Sequence, residues 1–590
     1  MSSPERLFQE AHQAYARGDI AAARAGLASL RQMFPQHPGV LQLAALTEKK
    51  AGDLAAALAL FRAAIPLAPG DSELQANYAN TLAALEDRGA IAAYDAAIRL
   101  APDRHDFRLN RAITHLQFGD VAAAEADIAF LEPHQQHSAR FWSVAGEVYR
   151  AAGDAERAIA AFEAALACDP DRVSALAALA HLHLQAGEPA ARRYFGRALE
   201  RTPHDHSLAL GLSQALEIDG EIDAAIAVLD QARQTAPDWQ EGTSALARLL
   251  IEAGACERAI ALYRERADAD PRSAQGWIDL AVFLRTLDAH AEALAVLQDA
   301  RSVVGEDAGL FLLEAAVATD LGEAALADAA LRQLPPDWAA ARAVRVRHGL
   351  RFGDFAGASA LAEEHLAEHP DDIAMWALQS LCWRLTGDAR EAWLNPPGTL
   401  VQALDIGFPG DLEQLAAALR KLHVARHHPA GQSLRNGTQT RGSLFDRRDP
   451  TLVALGQHIA AAAERYRQAL PEPDPRHPLL RHRAGGLRFC GSWSVRLTNA
   501  GFHVAHIHPA GIVSSAFYVA VPDSLGGAGK AGWLETGSAP AELNLALDPY
   551  AVIEPKPGRL VLFPSYLFHG TRPFGAGERL TVAFDLSTAG

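Results

Sequence analysis

The chain has 590 residues, more than one compact core accommodates, so several domains or a repeat array are expected. Apolar side chains make up 49% of it and charges of both signs are mixed, which excludes wholesale disorder. The formal net charge of −17 and the lack of a basic stripe argue against a nucleic-acid partner.

From the N-terminus, MSSPERLFQE is polar and charged, unlike a secretory signal, and no later run of about 18 apolar residues predicts a membrane span. Four cysteines (Cys168, Cys256, Cys382, Cys490) stand far apart without a CxxC pair. That spacing suits a reducing interior, and a cytoplasmic location is expected. Prolines in polar turns fall at 38, 69, 102, 133, 170, 203, 237 and 271, with further turns near Gly305, Pro336 and Pro370. Before many of them comes one phrase: GDLAAALALFRAAIPLAP (52–69), GDAERAIAAFEAALACDP (153–170), GACERAIALYRERADADP (254–271). In each, glycine ends a helix, Ala and Leu at i, i+3, i+4 and i+7 make an apolar stripe, and proline stops the second helix. Helix pairs repeating every 34 residues or so resemble the tetratricopeptide repeat, over roughly residues 4–390. The resemblance implies an α-solenoid with a groove for a protein or peptide; a spacer or assembly scaffold is the plainer reading.

The texture changes after residue 391. The first 390 residues carry 35 basic against 55 acidic side chains, the remainder 19 against 16. Helices are expected over 411–424 and 451–469. Between them HHPAGQSLRNGTQTRGSLF (427–445) reads as a polar loop, either lining a substrate entrance or connecting at the surface; His427 and His428 carry no ligand spacing. From Leu487 onward the pattern is β. RFCGSWSVRL alternates, IVSSAFYVAVP and RLVLFPSYLFHG are β-branched and aromatic, and ERLTVAFDL closes the series. Short strands without helices between them predict a barrel or jelly roll.

Within that region HVAHIHPAG (503–511) sets His506 and His508 two apart, on one face of a strand, with His503 facing the other way. Such a cluster alone is more often a set of solvated or core-edge histidines than a metal site. Five phrases together resemble the 2-oxoglutarate and Fe(II)-dependent dioxygenases that carry an N-terminal repeat array: QSLRNGTQT (432–440), GSWSVRL (491–497), GFHVAHIHPAG (501–511), KPGRLVLFPSYLFHGT (556–571) and ERLTVAFD (578–585). The resemblance implies an all-β double-stranded β-helix (jelly-roll) domain with flanking helices over 391–590, its helical entry at 391–480 and its core at 481–590. It implies Fe(II) held by His506 and His569, with 2-oxoglutarate and O2 as co-substrates. Arg579 would take the far carboxylate of the keto acid through its planar fork, with Thr581 as a hydrogen-bond donor. Arg496, on the strand entering the site, is a further candidate for substrate or co-substrate contact.

The chain departs from the family's pattern where a carboxylate ligand is expected, since His508 stands there. Either His508 is the third ligand, or two histidines hold the iron with His508 behind them. Its same-face spacing favours direct coordination; Glu535 is a nearby acid that could substitute, though the loop carrying it gives no geometric reason to prefer it. The expected activity is hydroxylation of a protein or peptide side chain presented by the repeats. The alternatives are a silent barrel on a repeat-based adaptor, or an oxygenase of small molecules or glycans.

Overall fold

The computed structural model describes residues 4–425, 431–522, 525 and 529–588. Helices alternate with short turns as far as Leu394, and no helix among the described residues is long and apolar enough to cross a membrane. The expected punctuation is present. Aspartates cap many helices, as where Asp53 accepts from the Ala56 amide at 2.9 Å and Asp154 from Arg157 at 2.9 Å. The turn inside each pair passes through a left-handed residue, which is glycine at 52, 119, 153, 187, 220 and 254. Glu86 (φ 56°) and Asp288 (φ 59°) take that place in two repeats.

The chain forms two compact units, residues 1–182 with 200–202, and residues 183–199 with 203–590. In the first, small residues let the helices pack closely, with Ala23, Ala57, Ala79 and Ala97 wholly buried beside Phe61 and Tyr94. The second joins the later repeats to the sheet region through one continuous core. That core runs from Val346 and Leu350 through Trp376, Leu381 and Cys382 to Phe517, Val582 and Leu586. Buried phenols fix the chain where helices give way to sheet: Tyr466 donates to the Leu400 carbonyl and Tyr566 to that of Leu394, each at 2.8 Å.

Among the described residues nine strands follow: β1 (Gln402–Asp405), β2 (Leu434–Gln439), β3 (Leu487–His503), β4 (Val513–Ala520), β5 (Leu534–Thr536), β6 (Ala551–Ile553), β7 (Arg559–Pro564), β8 (His569–Thr571) and β9 (Glu578–Thr588). They make an antiparallel six-stranded sheet in the order β1-β7-β4-β9-β3-β2 and a three-stranded one, β6-β5-β8. The two sheets enclose the cavity described below, as a jelly roll does. The expected helices appear as Leu412–Arg420 and Pro450–Ala469.

The stretch expected to be a loop over 427–445 contains β2. Its Asn and Gly content hides it, because the strand is held by backbone pairing to β3 and is broken by a bulge at Asn436 (φ 55°) rather than marked by alternation. His427 and His428 lie outside the described residues. The ion pairs of this stretch run to the repeats. Arg435 pairs with Asp288 at 2.7 Å, and Arg441 pairs with Glu217 at 2.7 Å and with Glu252, both glutamates being buried.

Candidate metal centre

β8 ends the apolar run Arg559–Phe568 and places His569 inside the jelly roll, 6% exposed. The segment after β3 doubles back so that His506 and His569 form an antiparallel bridge, with amide-to-carbonyl distances of 3.0 and 2.9 Å. Gly570 permits the approach, since a Cβ there would lie 2.9 Å from the His503 carbonyl oxygen and 3.2 Å from the Ala505 nitrogen. As a result His506, His508 and His569 each offer a ring nitrogen within 4.8 Å of the others.

The other nitrogen of every ring is already committed. Nδ1 of His506 donates to the Val504 carbonyl (2.9 Å), and Nδ1 of His569 to that of Leu567 (3.2 Å). Nδ1 of His508 meets both oxygens of Asp585 at 2.8 Å. Each bond fixes a tautomer with the proton on Nδ1, so three Nε2 lone pairs are left facing the cavity, that of His506 also 3.1 Å from the Ser433 hydroxyl. Nε2 of His506 and of His508 are 3.0 Å apart. Two imidazole nitrogens bound at about 2.1 Å and at right angles around one first-row cation stand about that far from each other. Burial pushes the pKa of His506 down to about 3 and that of His569 well below its usual value, so both are neutral donors at physiological pH. Asp585 is in turn held by the Ser514 hydroxyl at 2.8 Å, and Gly511 lets it approach, a Cβ there lying 2.9 Å from its own.

The same cavity reaches Arg579 and Thr581 on β9. Arg579 is 3% exposed; it donates to the Gly532 carbonyl at 2.9 Å and to the Tyr518 hydroxyl at 3.4 Å, and its Nε has no partner. Among the described residues no carboxylate pairs with it, and burial lowers its pKa. A buried cation in that state is incomplete until an anion joins it. Trp493, Val495, Leu534 and Phe563 wall the space apolarly, while Gln432, Gln439 and Ser433 supply polar groups. The donor set and the unpaired guanidinium therefore fit a divalent first-row cation beside a dicarboxylic keto acid.

Arg496 is not brought to this cavity. Trp493 and Val495 face inward, so strand parity sends Arg496 to the opposite face, where its Nε donates to Glu578 at 2.5 Å. Glu535 is excluded the same way: Leu534 faces the cavity, and Glu535 binds Arg572 at 2.6 Å. His503 lies beside the cluster, with Nδ1 3.0 Å from the Ser433 hydroxyl. Sequence reasoning missed Tyr518 and Asp585, whereas Ser433, Gln432 and Gln439 belong to the polar stretch expected to line an entrance. Asp585 ends the quoted phrase ERLTVAFD, but nothing in its spacing from His508 marks the pair.

Residues 491–585 match the family model described as "Putative 2OG-Fe(II) oxygenase". Residues 71–264 match the tetratricopeptide repeat of protein kinase G, and 8–72 and 244–309 a general tetratricopeptide repeat model. Tetratricopeptide repeats precede a 2OG-Fe(II) oxygenase domain. No curated protein matches the chain. Among solved structures, a tetratricopeptide repeat protein from Parabacteroides merdae is 17% identical at TM-score 0.35, over 42% of this chain and 99% of its own. The C-terminal part of a repeat-containing protein from Cytophaga hutchinsonii is 17% identical at TM-score 0.33, over 40% and 99%. MamA from Desulfovibrio magneticus is 18% identical at TM-score 0.27, over 28% and 97%. The oxygenase match encloses all three histidines, Arg579, Thr581 and Asp585.

Proposed function

We propose that the chain is an Fe(II)- and 2-oxoglutarate-dependent dioxygenase that hydroxylates a protein or peptide side chain. The observation that carries this reading is the convergence of three Nε2 atoms whose partner nitrogens are each already bonded. His506, His508 and His569 hold the iron. His508 occupies the ligand position, and Asp585 stands one bond further out, orienting it.

The residues divide the remaining work. Arg579 takes the far carboxylate of 2-oxoglutarate with charge-assisted bonds, and Tyr518 steers the guanidinium from behind. The Thr581 hydroxyl lies beside it on β9, within the same cavity. Burial keeps the Tyr518 phenol protonated, so it adds no competing negative charge there. Trp493, Val495, Leu534 and Phe563 exclude water from the reacting end. Bound iron supplies the oxidising chemistry with O2 while the keto acid loses CO2 to become succinate. The boundary at residue 390 separates chain that presents targets from chain that oxidises them.

Succinate release from 2-oxoglutarate by the purified full-length protein with Fe(II) tests the reading. Turnover dependent on added iron supports it. No turnover together with no iron uptake would leave a repeat-based adaptor carrying a silent barrel.

A further inference from the structure

A second space adjoins the histidine cluster from outside. It shares His506, His508, Gln432 and Ser433 with the inner cavity but reaches neither Arg579 nor His569, and it holds about 460 Å³. A keto acid anchored on Arg579 fills the inner space, which leaves this cleft as the approach for the molecule to be oxidised. One wall belongs to the repeats. On helix Ala274–Thr286, Val282 and Thr286 lie one turn apart and exposed, followed by Asp288 and His290.

We propose that this cleft binds the target as an extended polypeptide segment and that Val282 and Thr286 select it. The inference rests on the oxygenase reading and specifies its substrate.

Three features carry it. The wall is fixed relative to the iron-binding histidines, because the Gly431 amide donates to the Thr286 carbonyl at 3.0 Å and Arg435 pairs with Asp288 at 2.7 Å. Asp288 stands where most repeats have glycine, in a left-handed turn that Asp tolerates better than most residues, and there it grips Arg435 at the start of β2. The chemistry of the lining suits a polypeptide. Isolated apolar groups, Val282 and Ile507, alternate with hydrogen-bonding ones, and His290 Nδ1 is buried without a partner. Both arginines are already paired, Arg285 with Asp320 at 2.8 Å and Arg435 with Asp288, whereas no ion pair engages Glu542 among the described residues. Among the described residues a phosphate-bearing ligand finds no spare cation there, and a lipid finds no continuous apolar face. Finally, β2 is an edge strand of the six-stranded sheet, and Arg435 near its start lines the cleft together with Gly431, Gln432 and Ser433 just before it. An extended chain binds such an edge through its main chain while its side chains reach neighbouring pockets.

The test uses the full-length, Fe(II)-loaded protein with 2-oxoglutarate and a pool of random-sequence peptides. Succinate formation is read with and without the pool, and the recovered peptides are examined for added oxygen. The proposal expects the pool to stimulate succinate formation and to gain oxygen. Val282→Trp, at a position 43% exposed and so tolerant of size, should cut the stimulated-to-unstimulated ratio by about tenfold. An unchanged ratio in Val282→Trp overturns the proposal. So does succinate formation that the pool never stimulates, which would leave the iron and 2-oxoglutarate chemistry standing and count against a polypeptide target. Absence of both bound iron and succinate in the unaltered protein identifies failure of the oxygenase reading itself, and the proposal falls with it.

Discussion

At His508 the imidazole is gripped from behind by both oxygens of Asp585, so the acid sits where it tunes a ligand rather than where it is one. Asp585→Asn keeps the shape and one acceptor but removes the charge. Iron affinity should fall by about 10- to 100-fold, measured by competition with a chromogenic chelator. A second histidine supports the site from outside. His423 bonds the Thr438 hydroxyl at 2.8 Å and the Ser494 hydroxyl at 3.1 Å, and burial followed by repulsion from Arg496 pushes its pKa down to about 4. An unfolded histidine titrates near 6.5, so the stabilising contribution is complete above about pH 6.5. It is lost as the pH falls towards 4, because the unfolded state then takes up a proton that the fold refuses. The loss amounts to at most about 3 kcal/mol. His423→Gln should flatten that part of the stability-against-pH curve in denaturant titrations.

Among the elements, the long apolar strands and the helix pairs were legible because both advertise a period. Gly52, Gly153 and Gly254 close helices where expected, and RLVLFP forms β7 as its β-branched and aromatic content requires. The pairing of His506 with His569 followed from family resemblance, since nothing local relates residues so distant in sequence. β1 and β2 escaped notice because neighbouring strands hold them through the backbone and their side chains do not alternate by polarity. Arg496 was expected as a candidate contact at the site, but strand parity puts it with Glu578 on the face opposite Trp493 and Val495. At β8 the constraint is steric: Gly570→Ala would press a methyl group against the His503 carbonyl. The bridge between His506 and His569 should then open, costing about 1–3 kcal/mol of stability and most of the iron affinity, as thermal unfolding with and without Fe(II) would report.

On the scale of the molecule, the repeats after residue 183 and the oxygenase domain behave as one folding unit. Trp376, Leu378 and Cys382 of the helix Ile373–Thr386 belong to the same core as Phe517 and Val582. Arg441 lies half-buried between Glu217 and Glu252 of two repeat helices, and desolvation lowers its pKa to about 10. Removing residues 1–390 should therefore expose core and abolish cooperative unfolding. Removing residues 1–172 should preserve a single transition in urea. Such a dependence is hidden from sequence periodicity, which marks where helices end and is silent on which helices share a core with a distant sheet.

Everything proposed here depends on His506, His508 and His569 holding one ferrous ion beside a guanidinium awaiting a carboxylate. Anaerobic titration of 2-oxoglutarate into the Fe(II)-loaded protein tests it, because a keto acid chelating ferrous iron gives a visible charge-transfer band. The account predicts a band that saturates at one equivalent, vanishes in His569→Ala and needs far more 2-oxoglutarate in Arg579→Ala. A band of undiminished strength in His569→Ala, or none in the unaltered protein, would contradict it.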